Sequence, residues 1–334
     1  MKIWMWPKTS ELNKFNQLYS DSLEKEGVTV ENFNKTKMFR MRKNDIFHFH
    51  WIYPLYQSDS KLLFILKSFV LLIYLRYIKL RGIKIVWTLH NIYPHKYKFK
   101  NMEQKIRKKI LTLCDLVFVA SRSIKMEAEK EYNIKPGKIK IIKHGHYKGV
   151  YPLKTINKDK YNIKNGEKVF LFIGTIMEYK GVQLLLDEFL SSNIYQDSRL
   201  IIAGKPDKQM DEVLKKYYSY NNIEFDLRFI PDEQVMGLIE LADFVVLPYK
   251  QITTSGSAIL AVSAKKPFIA PRNSFFEEYF NKDVCILYEN QRLKTILELA
   301  YSKTFSEISF IENLKKLDWN RIAKQTIDYY KGIK

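Results

Sequence analysis

Three short segments hold all six histidines of the chain: His48 and His50 in HFH, His90 and His95 in LHNIYPH, and His144 and His146 in HGH. Imidazole titrates near neutrality without tuning, so it suits a general base or a proton shuttle. Each cluster follows an apolar run, which places the rings at strand ends. In an extended segment alternate side chains share a face, so His48 and His50 point the same way. Histidines alone could hold a metal, but no cysteine partner and no HExxH spacing accompanies them; the expectation is no metal. The second chemical feature is Thr253-Thr254-Ser255-Gly256-Ser257, between the apolar runs FVVLPY and AILAVSA. A small-residue turn that opens a helix directly after a strand offers free N–H groups and a positive helix end to an anion. That is the chemistry of a phosphate, and hence of a nucleotide or nucleotide sugar.

The elements that must position these residues alternate. Strand patterns at 2–6, 45–50, 84–89, 116–120 and 139–142 are separated by helix patterns at 14–26, 61–80, 103–113 and 121–132. Continuous apolar strands between helices imply a parallel sheet covered on both faces. Residues 147–165 are polar and read as a linker. The rhythm restarts with KVFLFI at 168–173, and a last helix is expected over 318–330. The class is α/β, with two Rossmann-like domains.

Charge divides the chain as well. Residues 1–150 carry 30 Lys/Arg against 12 Asp/Glu, a net +18, whereas residues 151–334 carry 26 against 24, a net +2. The basic half suits an anionic partner: a membrane surface, nucleic acid or a phosphorylated substrate. The run LLFILKSFVLLIYL at 62–75 is too short to span a bilayer and carries Lys67. It reads either as a buried crossover helix or as a helix partly inserted in a membrane surface beside Arg76, Lys79 and Arg81. Cys114 and Cys285 lie in apolar runs and read as reduced core residues. The start, MKIWMWPKTS, has no secretory apolar region and reads as a first strand.

At this point the residues resemble a known family. WTLHNIYPH, preceded by DIFHFHW, resembles the acceptor domain of GT-B glycosyltransferases. FIGTIMEYKG, LIIAGKP, FIPDEQVMGLIELADFVVLPY and KKPFIAP resemble the nucleotide-sugar domain of the family 4-like members, and DWNRIAKQTIDYY is similar to their C-terminal helix. The resemblance implies a GT-B fold: a basic acceptor-binding domain over 1–155, a donor-binding domain over 156–316, and a helix over 317–334 crossing back to the first domain. It implies Gly174 as the glycine that lets the backbone approach the donor, and Lys180 as the cation that meets the diphosphate. Thr254, Ser255, Gly256 and Ser257 would hold the phosphates, Arg228 would sit by the nucleobase, and Lys205 could reach the donor. The acceptor-side catalytic candidates are His95, His90 and His50.

The chain also departs from that pattern. The family's two glutamates, eight positions apart across the phosphate turn, fall on Ile252 and Leu260 or on Thr253 and Ala261, and the arginine after the donor glycine is replaced by Thr175. The branch resembled is that of bacterial exopolysaccharide transferases such as the xanthan glucuronosyltransferase. The expected activity is hexosyl transfer from a nucleotide sugar, with a UDP-sugar as the default because uridine is common among relatives, to a lipid-linked or oligosaccharide acceptor in bacterial surface polysaccharide synthesis. With no carboxylate at the turn, inversion is preferred to retention. No cofactor beyond the nucleotide sugar is expected. The protein would be cytoplasmic and peripheral on the inner membrane face, its basic half against anionic lipid. Two other readings use the same features: a nucleotide-sugar enzyme of similar fold that transfers no sugar, and a nucleic-acid-binding protein using Tyr93, Tyr97 and Phe99 among Lys96, Lys98 and Lys100. No nucleic-acid-binding module frames those aromatics, so no nucleic acid is expected.

Overall fold

A computed structural model describes residues 1–10, 14–94, 97–134, 137–250, 252–289 and 292–333. The elements alternate as the apolar periodicity requires. In chain order they are β1 (Lys2–Trp6), α1 (Phe15–Lys25), β2 (Thr29–Asn32), β3 (Ile46–Phe49), α2 (Lys61–Leu80), β4 (Lys84–Thr88), α3 (Lys100–Leu113), β5 (Leu116–Val119), α4 (Arg122–Tyr132) and β6 (Ile139–Ile141). They continue with β7 (Lys168–Ile173), α5 (Val182–Leu190), β8 (Ser198–Ala203), α6 (Lys208–Leu214), β9 (Ile223–Asp226), α7 (Asp232–Leu241) and β10 (Phe244–Val246). The last are α8 (Gly256–Ser263), β11 (Phe268–Pro271), α9 (Ser274–Tyr279), β12 (Cys285–Tyr288), α10 (Leu293–Tyr301), α11 (Glu307–Lys316) and α12 (Trp319–Lys331).

These elements form two compact units. Met1–Gly145 with Leu317–Lys334 make one, and His146–Lys316 the other. The first unit therefore ends at Gly145 and not at the expected residue 155. The reason is local: the Tyr147 N–H donates to the Ser263 hydroxyl at 2.8 Å, and Lys154 and Ile156 pack on Gly237. Those contacts assign the intervening segment to the second unit.

The first unit is a six-stranded sheet of order β2-β1-β3-β4-β5-β6, parallel throughout. Alternation along β3 assigns its residues to opposite faces. Phe47 and Phe49 pack with residues of α2, α3 and α4, whereas Ile46 packs with α1 and α12. The last helix begins on Asp318, whose side chain accepts from the Arg321 N–H at 3.0 Å. It buries Trp319, Ile322, Ile327 and Tyr330 in this first unit. Gly145 makes room for it, since a Cβ there would lie 2.3 Å from the Trp319 ring.

The second unit is a parallel sheet of order β12-β11-β10-β7-β8-β9. From β7 the chain winds outward through β8 and β9, then returns to the other side of β7 to lay down β10. That reversal leaves a crevice at the carboxyl ends of β7 and β10, the place where open α/β sheets bind ligands. Backbone crowding at these ends demands glycine. Gly204 has φ +144°, and a Cβ on it would lie 1.9 Å from the Gly174 carbonyl oxygen.

Because that neighbour is backbone and cannot swing aside, Gly204→Ala should cost more than about 2 kcal/mol of unfolding free energy. Gly27→Ala meets the same sign of φ in open space, with nothing within 4 Å, and should cost only about 1–2 kcal/mol. Urea unfolding measures both. Equal costs would refute the crowding at Gly174.

Candidate functional site

In the second unit the phosphate-turn residues sit at the β7/β10 reversal. Ser255 is the N-cap of α8; its buried hydroxyl accepts from the Ala258 N–H at 3.1 Å. The Ser257 hydroxyl donates to the Ile173 carbonyl at 3.2 Å, which ties the turn to the end of β7. These two hydroxyls thus serve the fold, and the anion-binding potential lies in the N–H groups of the first turn of α8. Among the described residues, no acceptor engages the N–H groups of Gly256 and Ser257. Gly174 faces the same turn: with φ +140°, a Cβ on it would come 3.7 Å from Ser257 Oγ.

Lys180 enters from the β7–α5 connection. Gly181 follows it in the left-handed region at φ +70°, and a Cβ there would lie 2.0 Å from the Pro248 carbonyl oxygen. This close approach brings Lys180 onto the segment that leads into the turn. Its ammonium donates to the Tyr249 hydroxyl at 3.3 Å and lies 4.4 Å from the centre of that ring. Tyr249 is itself buried, and the sequence carried no signal for it as a site residue. Tyr147 is another addition: it is buried, and its hydroxyl would be 3.6 Å from a Cβ on Gly256. Lys205 is exposed beyond β8.

Arg228 is less available than its assignment to the nucleobase implied. Its guanidinium pairs with Asp226 at 2.7 Å and 3.1 Å and also donates to Gln234 at 2.5 Å. Burial pushes the Asp226 carboxyl up, but hydrogen bonds from Tyr161 and Arg228 outweigh it and leave Asp226 below its ordinary value. The side chain therefore fixes the β9–α7 connection. Of the places where the family has glutamates, Ala261 is fully buried inside α8 and Leu260 is partly buried.

In the first unit the rings of His48, His50 and His90 lie one against the next. His48 is fully buried and braced on both ring nitrogens, with Nε2 2.7 Å from Thr88 Oγ1 and Nδ1 2.7 Å from the Tyr330 hydroxyl. It cross-links β3, β4 and α12, which is a structural role. His50 Nδ1 meets His90 Nε2 at 3.2 Å, one ring donating and the other accepting. The His90 ring stacks on Trp51 at 4.5 Å, and His144 lies against Phe15 at 4.5 Å. A small cavity of about 20 Å³ is lined by His50, Trp51, His90, Asn91 and Arg107 among others. His95 lies outside the described residues. Among the described residues no group of three His, Cys, Asp or Glu side chains could hold a metal ion.

The loop that carries His90 and Asn91 is held by a buried pair the sequence does not advertise. Arg107 and Glu103 are both nearly inaccessible and meet at 3.0 Å. The guanidinium also donates to the carbonyls of Asn91 and Ile92, each at 3.1 Å, and stands over the Trp87 ring. The Tyr132 hydroxyl donates to the Ile92 carbonyl as well. Spaced i,i+4 on α3, the two charges look in sequence like an ordinary surface pair.

Burial holds the histidines uncharged. It lowers His48 and His90 to about 3 and His144 to about 4, and takes His50 well below its ordinary 6.5. Neighbouring imidazoles lower His48, His50 and His90 further, while the hydrogen bond to the Gly145 carbonyl partly offsets the shift at His144. The unfolded chain takes up these protons as pH falls through about 6.5, whereas the folded chain does so only near 3–4 at His48, His90 and His144 and well below 6.5 at His50. Stability from these groups is complete above 6.5 and declines as pH falls below it. The melting temperature should drop between pH 7.5 and 5, and His144→Asn should flatten that drop. A melting temperature independent of pH over this range would contradict the buried neutral cluster.

The comparisons with known proteins follow the same division. Residues 36–146 match the model for Glycosyltransferase Family 4, and residues 154–302 match that for Glycosyl transferases group 1. A GDP-mannose:glycolipid 4-beta-D-mannosyltransferase of Xanthomonas campestris is 27% identical over 304 residues, covering 86% of this chain and 81% of the relative. An uncharacterized glycosyltransferase of Methanocaldococcus jannaschii is 22% identical over 232 residues, 64% of this chain and 59% of the relative. Among solved structures, the Anabaena protein HepE in complex with UDP superposes with a TM-score of 0.68 at 14% identity, covering 99% of this chain and 100% of that one. WaaG, a glycosyltransferase involved in lipopolysaccharide biosynthesis, does so with a TM-score of 0.64 at 13% identity, covering 99% and 100%. Two glycosyltransferase models thus match in chain order, each on its own parallel sheet, and together with these relatives they support a family 4-like glycosyltransferase of the GT-B fold.

Proposed function

We propose that the protein transfers a sugar from a nucleoside diphosphate sugar to the saccharide of a lipid-linked acceptor, in the synthesis of a bacterial surface polysaccharide. The observation that carries the donor half is the pair of N–H groups opening α8 beside Gly174, which meet no acceptor among the described residues. An anion at a helix N-terminus needs no other charge, and Lys180 adds one near the segment that leads there. As the glycosidic bond breaks, negative charge builds on the departing diphosphate, and fixed donors aimed at it favour the transition state over the ground state. The acceptor half is supported by the Xanthomonas relatives, whose names specify a glycolipid acceptor.

Those names also bear on the donor. The expectation of UDP rested on no residue that reads a base, whereas the relatives act on GDP-mannose by name. We therefore take GDP-mannose as the first donor to test and UDP-sugars as the second. The same names specify a β-linked product, and a sugar held by an α bond in the donor becomes β-linked by inversion. Inversion needs a base at the acceptor hydroxyl. His50 and His90 engage each other, and burial makes both weak proton acceptors, so we take His95 as the first base to test.

With GDP-mannose and a diphosphate-linked lipid saccharide, Lys180→Ala should lower kcat/KM by about 10²-fold, the order lost with one transition-state donor. His95→Ala should lower kcat by at least about 10²-fold, and product NMR should show a β anomer. Turnover with neither GDP- nor UDP-sugars would overturn the function. An α product, or His95→Ala at wild-type rate, would overturn inversion with this base.

A further inference from the structure

The longest helix, α2, has two apolar faces and only one of them is covered. Phe64, Leu71, Leu72, Leu75 and Ile78 pack into the first unit. On the opposite side Leu62, Leu66, Phe69, Ile73, Tyr77 and Leu80 recur at intervals of three or four residues, and each is exposed, from 41% at Tyr77 to 87% at Leu80. Such spacing lays them along one side of a helix roughly 30 Å long. Elsewhere a surface tolerates single exposed apolar side chains, but a continuous stripe of this kind marks a surface that meets something apolar.

The charge around the stripe says what that is. Between Asp59 and Glu103 the chain has nine Lys/Arg and no acidic residue. Arg76 lies within the stripe, with a side chain long enough to carry its charge to one side while its stem stays among apolar neighbours. At the C-terminal end of α2, the Arg81 guanidinium donates to the carbonyls of Met38 and Met41 at 3.1 Å and 2.8 Å. This ties the helix to the turn that carries Phe39, itself 71% exposed. Beside Phe39 lies a cavity of about 970 Å³ whose lining includes Lys2, Arg40, Arg42, Lys43 and Arg81, opposed by Glu31 and Asp45. An apolar stripe rimmed by cations fits an interface that is apolar below and anionic above. A second copy of the chain would present the same cations to them. Among the described residues no helix is long and apolar enough to cross a membrane, so the fitting geometry is a helix lying in the headgroup region.

We infer that the outer face of α2, with Phe39, inserts into the surface of an anionic lipid bilayer. Binding is read without any sugar substrate, so its failure would leave the transferase reading standing. Co-sedimentation of the full chain with vesicles of phosphatidylcholine, with and without phosphatidylglycerol, measures it. Binding should require phosphatidylglycerol, weaken with salt, and fall at least about tenfold in the combined variant Leu66→Glu, Phe69→Glu, Ile73→Glu. All three side chains point away from the core, so the melting temperature should hold. A fluorophore on the thiol introduced by Leu66→Cys should shift to the blue on these vesicles, and one introduced by Met126→Cys on α4 should not. Both natural cysteines are buried and should escape labelling. Binding of the triple variant equal to that of the parent, or no blue shift at position 66, would overturn the inference. So would a dimer that the triple variant dissociates while neither protein binds vesicles.

Discussion

Two backbone N–H groups, of Gly256 and Ser257, open α8 without an acceptor among the described residues, and the β7/β10 crevice is arranged around them. A helix cannot satisfy its first-turn donors from within. Here the Ser255 hydroxyl takes the Ala258 N–H and leaves the two before it. The order of strands decides where that unmet need falls. Because β10 returns to the other side of β7, α8 begins over the crevice between their carboxyl ends. The glycines follow from the same constraint. Gly174, Gly181 and Gly204 all have positive φ, and side chains at the last two would collide with backbone oxygen.

The first unit solves a different problem, that of holding imidazoles and a loop without water. His48 joins Thr88 and the Tyr330 hydroxyl, so the helix contributed by the end of the chain is fastened to a strand near its beginning. Arg107 replaces the hydrogen bonds that water would give the Asn91 and Ile92 carbonyls, and Glu103 balances its charge. A buried pair of this kind contributes little net stability but is costly to break from one side, which makes it a device for position. Through it the loop bearing His90 inherits the rigidity of α3.

Much of the fold was legible in the sequence because burial on both faces writes strands as continuous apolar runs, as in KVFLFI. Caps were legible too: Asp318 and Ser121 start their helices by accepting N–H groups from within them. The edge strand β2 was not, since TVEN buries only Val30 and has no apolar period. The short helices α9 to α11 are hard to see for a different reason, each being ten residues or fewer, under three turns over which a period can be counted. At the site, the turn at 254–257 could be found from residue types alone. Tyr147, Tyr249 and the Arg107–Glu103 pair could not, because what gives them meaning is contact with residues distant in the chain. The bracing of His48 is equally invisible, since a histidine braced inside a core and one poised in a site look alike in sequence. For α2 the helix over 61–80 was legible, but not that one of its apolar faces stays exposed, because hydropathy does not say which face meets protein.

The central claim is that the α8 N-terminus seats the donor diphosphate. A crystal structure of the protein with bound GDP tests it most directly. The account predicts phosphate oxygens within hydrogen-bond distance of the Gly256 and Ser257 N–H groups, with Lys180 turned from Tyr249 toward them. A diphosphate bound elsewhere, with that turn left empty, would contradict it.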